Sequence, residues 1–252
     1  MALFLLLLSS GITVSLPFQG TSERAYLTYP GSLSESGIGD IIVEAPAAGR
    51  RKGTGWRVPG GHLHLGSYFI QERLQTDVGP LLKDAKRAGM TTSLDPGRTA
   101  VKHSEGDLTA GRAESWDLAP LSPYYEYLDW FMPNAVELGG ITGIADPGRA
   151  LESLSTDLKG VVVKLGAAGA LIRHGGTVKA VPAPVAHPLD TTCAGDCFDA
   201  GFLRGLSMGL PVEKTADLGN RFGALAVSCL GLPETASIRS LLRELGYGEF
   251  FR

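Results

Sequence analysis

The sequence has few of the residues that mark disulfide-stapled, nucleic-acid-binding or disordered proteins. Only three of its 252 residues are cysteine, too few and too odd a number for a disulfide framework. A reducing compartment and a cytoplasmic protein are therefore expected. Charged residues make up 19% of the chain, and the net charge of −3 arises without a long run of either sign. No basic stripe is present, so we expect no nucleic-acid partner.

Long apolar runs are also missing. The opening run at residues 3–8 is far shorter than the ~20 residues that cross a bilayer. No lysine or arginine precedes Arg24, although a secretory signal needs a positive start. We therefore expect no membrane partner, and we interpret residues 1–10 as a buried helix or strand end or as a mis-set start. A cleavable signal is the remaining alternative.

The sequence does contain an alternation of strand and helix patterns. Period-two patterning over 12–29 predicts a β-hairpin, and the Gly- and Pro-rich residues 46–61 form a predicted loop. Strands are predicted at 63–68, 90–94, 127–132 and 161–165, a hairpin at 170–173 and 178–181, and helices at 78–88, 147–158, 195–209 and 212–230. This order predicts one α/β domain over 1–252, with a mostly parallel sheet and helices on both faces. His62 and His64 alternate within an apolar run and are interpreted as ordinary strand residues.

Several polar residues follow predicted strands, where sheets of this class bind their ligands. Asn134 and Glu137 stand three residues apart after one such strand. They could organise a hydrated magnesium ion, which prefers few protein oxygens and several waters. The alternative is that they are a helix cap and a surface carboxylate.

The most informative segment is DTTCAGD at 190–196, directly before an amphipathic helix. Small residues at a helix start let backbone N–H groups point outward, where the helix dipole favours an anion. Asp196 would face the same space, as phosphoryl transfer requires of a base beside its charge-stabilising donors. The alternative is that Asp190 or Thr191 caps the helix and Asp196 only complements its dipole.

A glycine-containing turn, KLGAAG at 164–169, follows another predicted strand. It lacks the full spacing of a dinucleotide fingerprint and opens a hairpin rather than a helix. By itself the turn predicts only the entry to a hairpin.

Cys193 and Cys197 stand at helical spacing without the further ligands of a zinc site.

Taken together and in this order, these segments resemble the ribokinase/PfkB family of carbohydrate kinases. DTTCAGD is similar to the family's second signature, DTxGAGD or DTTAAGD. The similarity extends to VVVKLGAAGALI at 161–172, PNAVE at 133–137, SLDPGR at 93–98 and GNRFGALAVSCLG at 219–231. It covers most of an α/β core at 62–246, and residues 11–32 resemble part of the family's β lid. The resemblance implies a ribokinase-like fold.

The resemblance also implies ATP-dependent phosphorylation of a primary hydroxyl of a sugar, with Asp196 as general base. The implied anion hole consists of the amides of Cys193, Ala194, Gly195 and Asp196. The implied nucleotide site contains Asn134, Lys164, Gly166, Gly169 and Asn220. Glu137 is implied on the water shell of Mg²⁺, and a monovalent cation such as K⁺ is implied at Asp190, Thr192, Ala226, Cys229 and Gly231. Asp95 and Arg98 match a strand end near the phosphates.

Two alternatives stay open beside a sugar kinase: a nucleoside kinase of the same family, and a catalytically impaired, N-terminally truncated nucleotide-binding relative. The expected partner is a small-molecule sugar or nucleoside. Because lid strands pair between subunits in the family, a homodimer is also an expectation.

The chain departs from the family pattern at Cys193 and at its front. Cys193 replaces a Gly or Ala, so we expect no positive φ there, and we expect the helix N-terminus to lower the thiol pKa and favour alkylation. The early Asp and the GG motif that bind the sugar do not precede the lid-like strands. A truncated or mis-started reading frame would explain this and would leave a sheet edge to be covered. The sequence does not identify the sugar.

Overall fold

The computed structural model describes residues 12–17, 24–29, 61–97 and 116–248. The strands are β1 (Ile12–Pro17), β2 (Arg24–Tyr29), β3 (His62–Leu65), β4 (Thr91–Leu94), β5 (Trp130–Phe131), β6 (Gly160–Lys164), β7 (Ala170–His174) and β8 (Thr177–Val181). The helices are α1 (Glu72–Arg87), α2 (Ala135–Thr142), α3 (Pro147–Ser153), α4 (Ala194–Ser207), α5 (Val212–Val227) and α6 (Thr235–Glu244). This alternation confirms the predicted α/β class.

The front of the described chain is the predicted hairpin. β1 and β2 pair antiparallel, with Ile12 opposite Tyr29 and Pro17 opposite Arg24. Its role as a partial lid stays a prediction. The expectations for residues 1–10, for the loop at 46–60 and for Arg98 lie outside the described residues.

The chain divides into two compact units. The first contains Met1–Phe131, Gly140–Gly143 and Ser155–Lys159, and the second contains Met132–Gly139, Ile144–Leu154 and Gly160–Arg252. The prediction of a single domain over 1–252 stays a prediction. Among the described residues, no helix combines the length and the apolar character needed to cross a membrane.

The first unit is built on parallel strands. β3 pairs with β4, and β4 pairs with β5, both in parallel register. α1 forms the crossover between β3 and β4 and buries Leu81 and Leu82 completely. Since parallel neighbours need a crossover of this kind, the predicted parallel arrangement is confirmed here.

The two histidines of β3 are satisfied strand residues, as expected. His62 is hydrogen-bonded to the hydroxyls of Thr91 and Ser93, both at 2.7 Å, and His64 shares the Ser93 hydroxyl at 2.7 Å. Burial, together with the neighbouring His64, lowers the pKa of His62 to about 4. The ring is therefore neutral at neutral pH and serves the packing of β3 on β4.

The second unit is built on antiparallel strands and a close helix pair. β6, β7 and β8 follow one another antiparallel, and Asn134 adds a parallel bridge to Lys164. α4 and α5 approach closely because Gly201 and Gly205 present no side chain to α5. A Cβ on Gly201 would stand 2.8 Å from the Leu218 carbonyl oxygen.

Several predicted boundaries are wrong for local reasons. The helix predicted over 147–158 ends at Ser153 because the Ser155 hydroxyl accepts the Asp157 amide at 3.2 Å, a turn that competes with the helix. The strand predicted over 63–68 ends at Leu65, since Ser67 is left-handed with φ 56°. The strand predicted over 127–132 shrinks to Trp130–Phe131, because a 3-10 helix occupies Ser122–Tyr127. That 3-10 helix and α6 were not predicted, and α2 was not among the predicted helices. α1 begins at Glu72, six residues before its predicted start at residue 78.

Candidate active site

The loop before α4 contains backbone amides that the helix itself does not use. The first hydrogen bond of the helix runs from the Cys197 amide to the Cys193 carbonyl at 2.9 Å. The amides of Gly195 and Asp196 make no hydrogen bond within the described residues. Asp196 is exposed in the first helical turn. These amides and the helix dipole form an anion-binding arrangement beside a carboxylate.

Cys193 departs from both expectations made for it. It is the N-cap residue and is left-handed, with φ 59° and ψ 10°. The expectation of no positive φ is therefore wrong, because the chain turns sharply here before entering α4. The pKa of the Cys193 thiol is raised, first by burial and then by the charges of Asp196 and Asp190. The expected lowering is wrong because burial and two nearby carboxylates act against the helix N-terminus.

The segment before Cys193 is tied to the C-terminal end of α5. The amides of Leu189 and Asp190 donate to the Val227 carbonyl at 2.7 and 3.3 Å. The Asp190 carboxylate accepts the Thr192 amide at 2.8 Å, so it shapes the loop rather than capping α4. The two segments implied for the monovalent cation therefore lie beside each other.

The other implied cation ligands cluster at one thiol. Cys229 Sγ lies 3.4 Å from the Ala226 carbonyl oxygen and 3.6 Å from that of Gly231. The Ala226 carbonyl oxygen also accepts the Cys229 amide at 3.3 Å, so a cation would have to compete with these contacts at that oxygen. These oxygens fit the ligand preference of a hard cation, and the ion itself stays a prediction.

Asn134 and Glu137 form a reciprocal cap at the start of α2. The Glu137 carboxylate accepts the Asn134 amide at 2.8 Å and its side-chain Nδ2 at 2.6 Å. The Asn134 Oδ1 accepts the Glu137 amide at 2.9 Å. Glu137 is only 3% exposed, so the alternative of a surface carboxylate is wrong, whereas the helix cap is confirmed. A role of Glu137 on the water shell of Mg²⁺ stays a prediction.

Gly169 and Asn220 converge on the end of β8. Gly169 has φ 94°, and a Cβ there would collide with the Val181 carbonyl oxygen. Asn220 Nδ2 donates to that same oxygen at 3.0 Å and to the Pro182 carbonyl at 3.3 Å. Gly166 is left-handed with φ 59° and has open space where a side chain would stand. The predicted hairpin entry is confirmed.

Sequence reasoning missed Asp199. Its carboxylate oxygens both lie 3.2 Å from Lys164 Nζ, and the two side chains are 3% and 9% exposed. The sequence signal that could have identified Asp199 is its position: it is a carboxylate three residues after Asp196, and its neighbours along the predicted helix are apolar.

The residues implied for catalysis and cations, and those implied for the nucleotide other than Asp95 and Arg98, lie in the second unit. Asp95 lies in the first unit, where its carboxylate accepts the Gly97 amide at 2.9 Å.

Comparison with known proteins identifies the family. The model of the pfkB family carbohydrate kinases matches residues 100–238 of this chain. The 2-dehydro-3-deoxygluconokinase of Bacillus subtilis (strain 168) is 29% identical over 198 residues, which are 72% of this chain and 56% of the relative. The chain thus spans little more than half the length of that protein.

Solved structures confirm the ribokinase-like fold. A fructokinase from Vibrio cholerae O395, bound to fructose, ADP and a calcium ion, is 25% identical with a TM-score of 0.59, over 75% of this chain and 62% of its own. The adenosine kinase from Sinorhizobium meliloti, 22% identical, reaches a TM-score of 0.69 over 93% of this chain and 66% of its own. With more than half of its residues matched by the family model, this chain belongs to the pfkB family of carbohydrate kinases.

Proposed function

We propose that this chain belongs to a kinase that transfers the γ-phosphoryl group of ATP to a primary hydroxyl of a sugar. The observation that carries the proposal is the exposed Asp196 carboxylate beside the unbonded amides of Gly195 and Asp196. Phosphoryl transfer needs a proton acceptor next to fixed donors, and this loop has both.

In the proposed reaction, Asp196 accepts the proton of the sugar hydroxyl. The hydroxyl oxygen forms the new bond to the γ-phosphorus, the bond to the bridging oxygen of ATP breaks, and ADP leaves with that electron pair. The amides of Gly195 and Asp196 stabilise the charge on the transferred group, whereas the Ala194 amide, also implied for the anion hole, already donates to the Thr191 carbonyl at 3.4 Å. Because the α4 loop holds these donors before substrate arrives, little reorganisation is needed at the moment of reaction.

Residues near this loop and at the start of α2 would hold the two proposed cations, Mg²⁺ and K⁺. Asn134 and Glu137 would hold the water shell of Mg²⁺, which neutralises phosphate charge when bound. The carbonyls near Cys229, with the Asp190 and Thr192 segment, would hold K⁺ and stiffen the loop. The Vibrio cholerae fructokinase contains ADP and a metal ion, which supports a nucleotide and a metal in this family.

Two further candidates rest on specific observations. The adenosine kinase shares the fold of this chain, so a nucleoside is the second candidate acceptor. The early Asp and the GG motif of the family's sugar site do not precede the lid-like strands, so a catalytically impaired nucleotide-binding form is the third candidate.

Substitution of the proposed base tests the function. Asp196→Asn is expected to abolish sugar- or nucleoside-dependent ADP formation and to leave MgATP binding intact, because it removes the proton acceptor and retains the backbone donors. Thermal unfolding with MgATP at ~100 times Kd should show about 2.7 kcal/mol of added stability in both proteins.

The matched control is Asp157→Asn, at an exposed carboxylate outside the site. It should retain full activity. Activity with a sugar selects the main proposal, and activity only with a nucleoside selects the second candidate. MgATP binding without any turnover selects the impaired form.

A further inference from the structure

A buried ion pair joins the end of β6 to the first turns of α4. Lys164 is the last residue of β6, and its Nζ lies 3.2 Å from each carboxylate oxygen of Asp199. The side chains are 9% and 3% exposed, which makes the pair one of the most enclosed charge contacts in the described second unit. Both partners belong to that unit.

Stability alone does not account for such a pair. Desolvating an ammonium and a carboxylate costs several kcal/mol per ion, and apolar replacements of similar volume are often neutral or stabilising. The rest of β6 shows the apolar alternative, since Val161, Val162 and Val163 are fully buried. A charged pair placed here therefore indicates a role beyond packing.

The pair lies directly beside the loop at 190–196 that leads into α4, hereafter the anion-binding loop. Lys164 Nζ lies 3.6 Å from the point where a Cβ on Gly195 would be. Asp199 follows Gly195 by four residues, about 6 Å of helix rise, and therefore lies on the same side of α4. The carboxylate is anchored one turn inside the helix, and the ammonium is held against the first turn.

We propose that Asp199 is a positioning residue that holds the Lys164 ammonium beside the Gly195 amide, where the ammonium binds the phosphoryl groups of the nucleotide. The inference rests on the proposed function and adds a fixed ammonium donor to the backbone donors at the helix N-terminus. Without Asp199, the ammonium would lose this carboxylate partner, and burial would favour the neutral amine. The ammonium contributes as a compact charge with rotatable donors.

Calorimetric titration of the full chain with MgADP and with adenosine tests the proposal. The double variant Lys164→Met/Asp199→Leu removes both charges and keeps the site filled, so it is expected to unfold at or above the wild-type temperature. It should bind MgADP at least about tenfold more weakly, because a hydrogen bond to a charged group contributes at least that factor to the affinity. Its adenosine affinity should stay unchanged, because adenosine has no phosphate.

Lys179→Met/Glu213→Leu is the matched control, because this pair also joins a strand to a helix in the second unit but is largely exposed. It should leave both affinities unchanged. Equal MgADP affinity in the wild type and the Lys164/Asp199 variant would overturn the proposal. An equal loss for MgADP and adenosine would also overturn it, since that pattern indicates a structural role only.

Single substitutions keep the proposal testable if the double variant does not fold. Asp199→Asn should weaken MgADP selectively, and Asp199→Glu should recover part of the affinity because it restores a carboxylate partner. Loss of the same size in both variants would contradict positioning by the carboxylate.

The proposed function and this inference fail separately. A wild-type chain that binds MgADP more tightly than adenosine, and loses that preference in the double variant, supports the inference even if no acceptor is phosphorylated. A wild-type chain that phosphorylates a sugar while the double variant retains MgADP affinity contradicts the inference alone. A wild-type chain that binds neither ligand contradicts both.

Discussion

At the scale of single residues, Cys193 combines two unfavourable features at the centre of the candidate site. A left-handed conformation costs a residue other than glycine roughly 1–2 kcal/mol, and Cys193 adopts φ 59°. Burial and the charges of Asp196 and Asp190 also raise the pKa of its thiol. The loop thus bears local strain where its amides must point outward, as functional loops often do.

The raised pKa predicts slow alkylation of Cys193 at neutral pH. A thiol whose pKa lies above its usual value has less thiolate at any given pH, so its rate with iodoacetamide should keep rising above the ordinary thiol pKa of about 8.5. Asp196→Asn should accelerate the reaction, because it removes a negative charge near the sulfur. Mass spectrometry of the Cys193 peptide measures the alkylation rates of the wild type and of Asp196→Asn. The pH should span roughly 6.5–10, on both sides of the ordinary thiol pKa.

Asp157→Asn is the control for the alkylation rate and should leave it unchanged. A Cys193 rate that levels off below about pH 8 would contradict the prediction, since it would place the pKa below that of an ordinary thiol.

At the scale of secondary-structure elements, the contact of α4 with α5 positions the anion-binding loop. Gly201 and Gly205 let the helix backbones approach, and Cβ atoms there would stand 2.8 and 2.9 Å from α5 backbone atoms. Backbone atoms of a packed helix cannot yield as the end of a flexible side chain can. The helix that begins at the candidate site therefore depends on small residues about two and three turns further along.

Gly201→Ala is predicted to destabilise the protein although alanine is the better helix former. The propensity gain is about 1 kcal/mol, whereas overpacking against Leu218 and Phe222 costs roughly 1–3 kcal/mol. Urea unfolding should show a net loss of up to about 2 kcal/mol.

Gly223→Ala is the matched control within the same helix pair, because its nearest neighbour would be the Ala194 carbonyl oxygen at 3.4 Å. It should be neutral or stabilise by up to about 1 kcal/mol. Stabilisation by both substitutions would show that the two helices can separate freely.

At the scale of the whole molecule, the chain consists of two compact units, and all implied site residues except Asp95 and Arg98 lie in the second. The first unit contains a parallel sheet segment with satisfied histidines and no residue implied for the nucleotide except Asp95 and Arg98. This division predicts where a nucleotide will change the dynamics of the chain.

Saturating MgADP should slow amide hydrogen exchange in peptides from 160–231 and leave peptides from 61–97 unchanged. Binding to the native state of one unit stabilises that unit against opening. Exchange followed by mass spectrometry checks both regions in one experiment. Protection in 61–97 would contradict the prediction and indicate that Asp95 or its neighbours contact the nucleotide.

Much of the fold was predictable because local patterns have local causes. Period-two runs predicted β1, β2, β7 and β8, and helical spacing predicted α4 and α5, to within a few residues at most ends. Errors occurred where a side chain or a left-handed residue ended an element early, as at Ser155 and Ser67. Such competition depends on single hydrogen bonds and dihedral angles, which periodicity does not register.

The sequence by itself determined the family, the order of the elements and the loop at 190–196, because these depend on residue types at fixed spacing along the chain. Only the tertiary structure decided that Asp199 pairs with Lys164, that Glu137 is buried in a cap, and that Cys193 is left-handed with a raised thiol pKa. Lys164 and Asp199 are 35 residues apart in the chain. Burial and charge act through space, and the folded chain alone sets which distant groups share a low-dielectric environment.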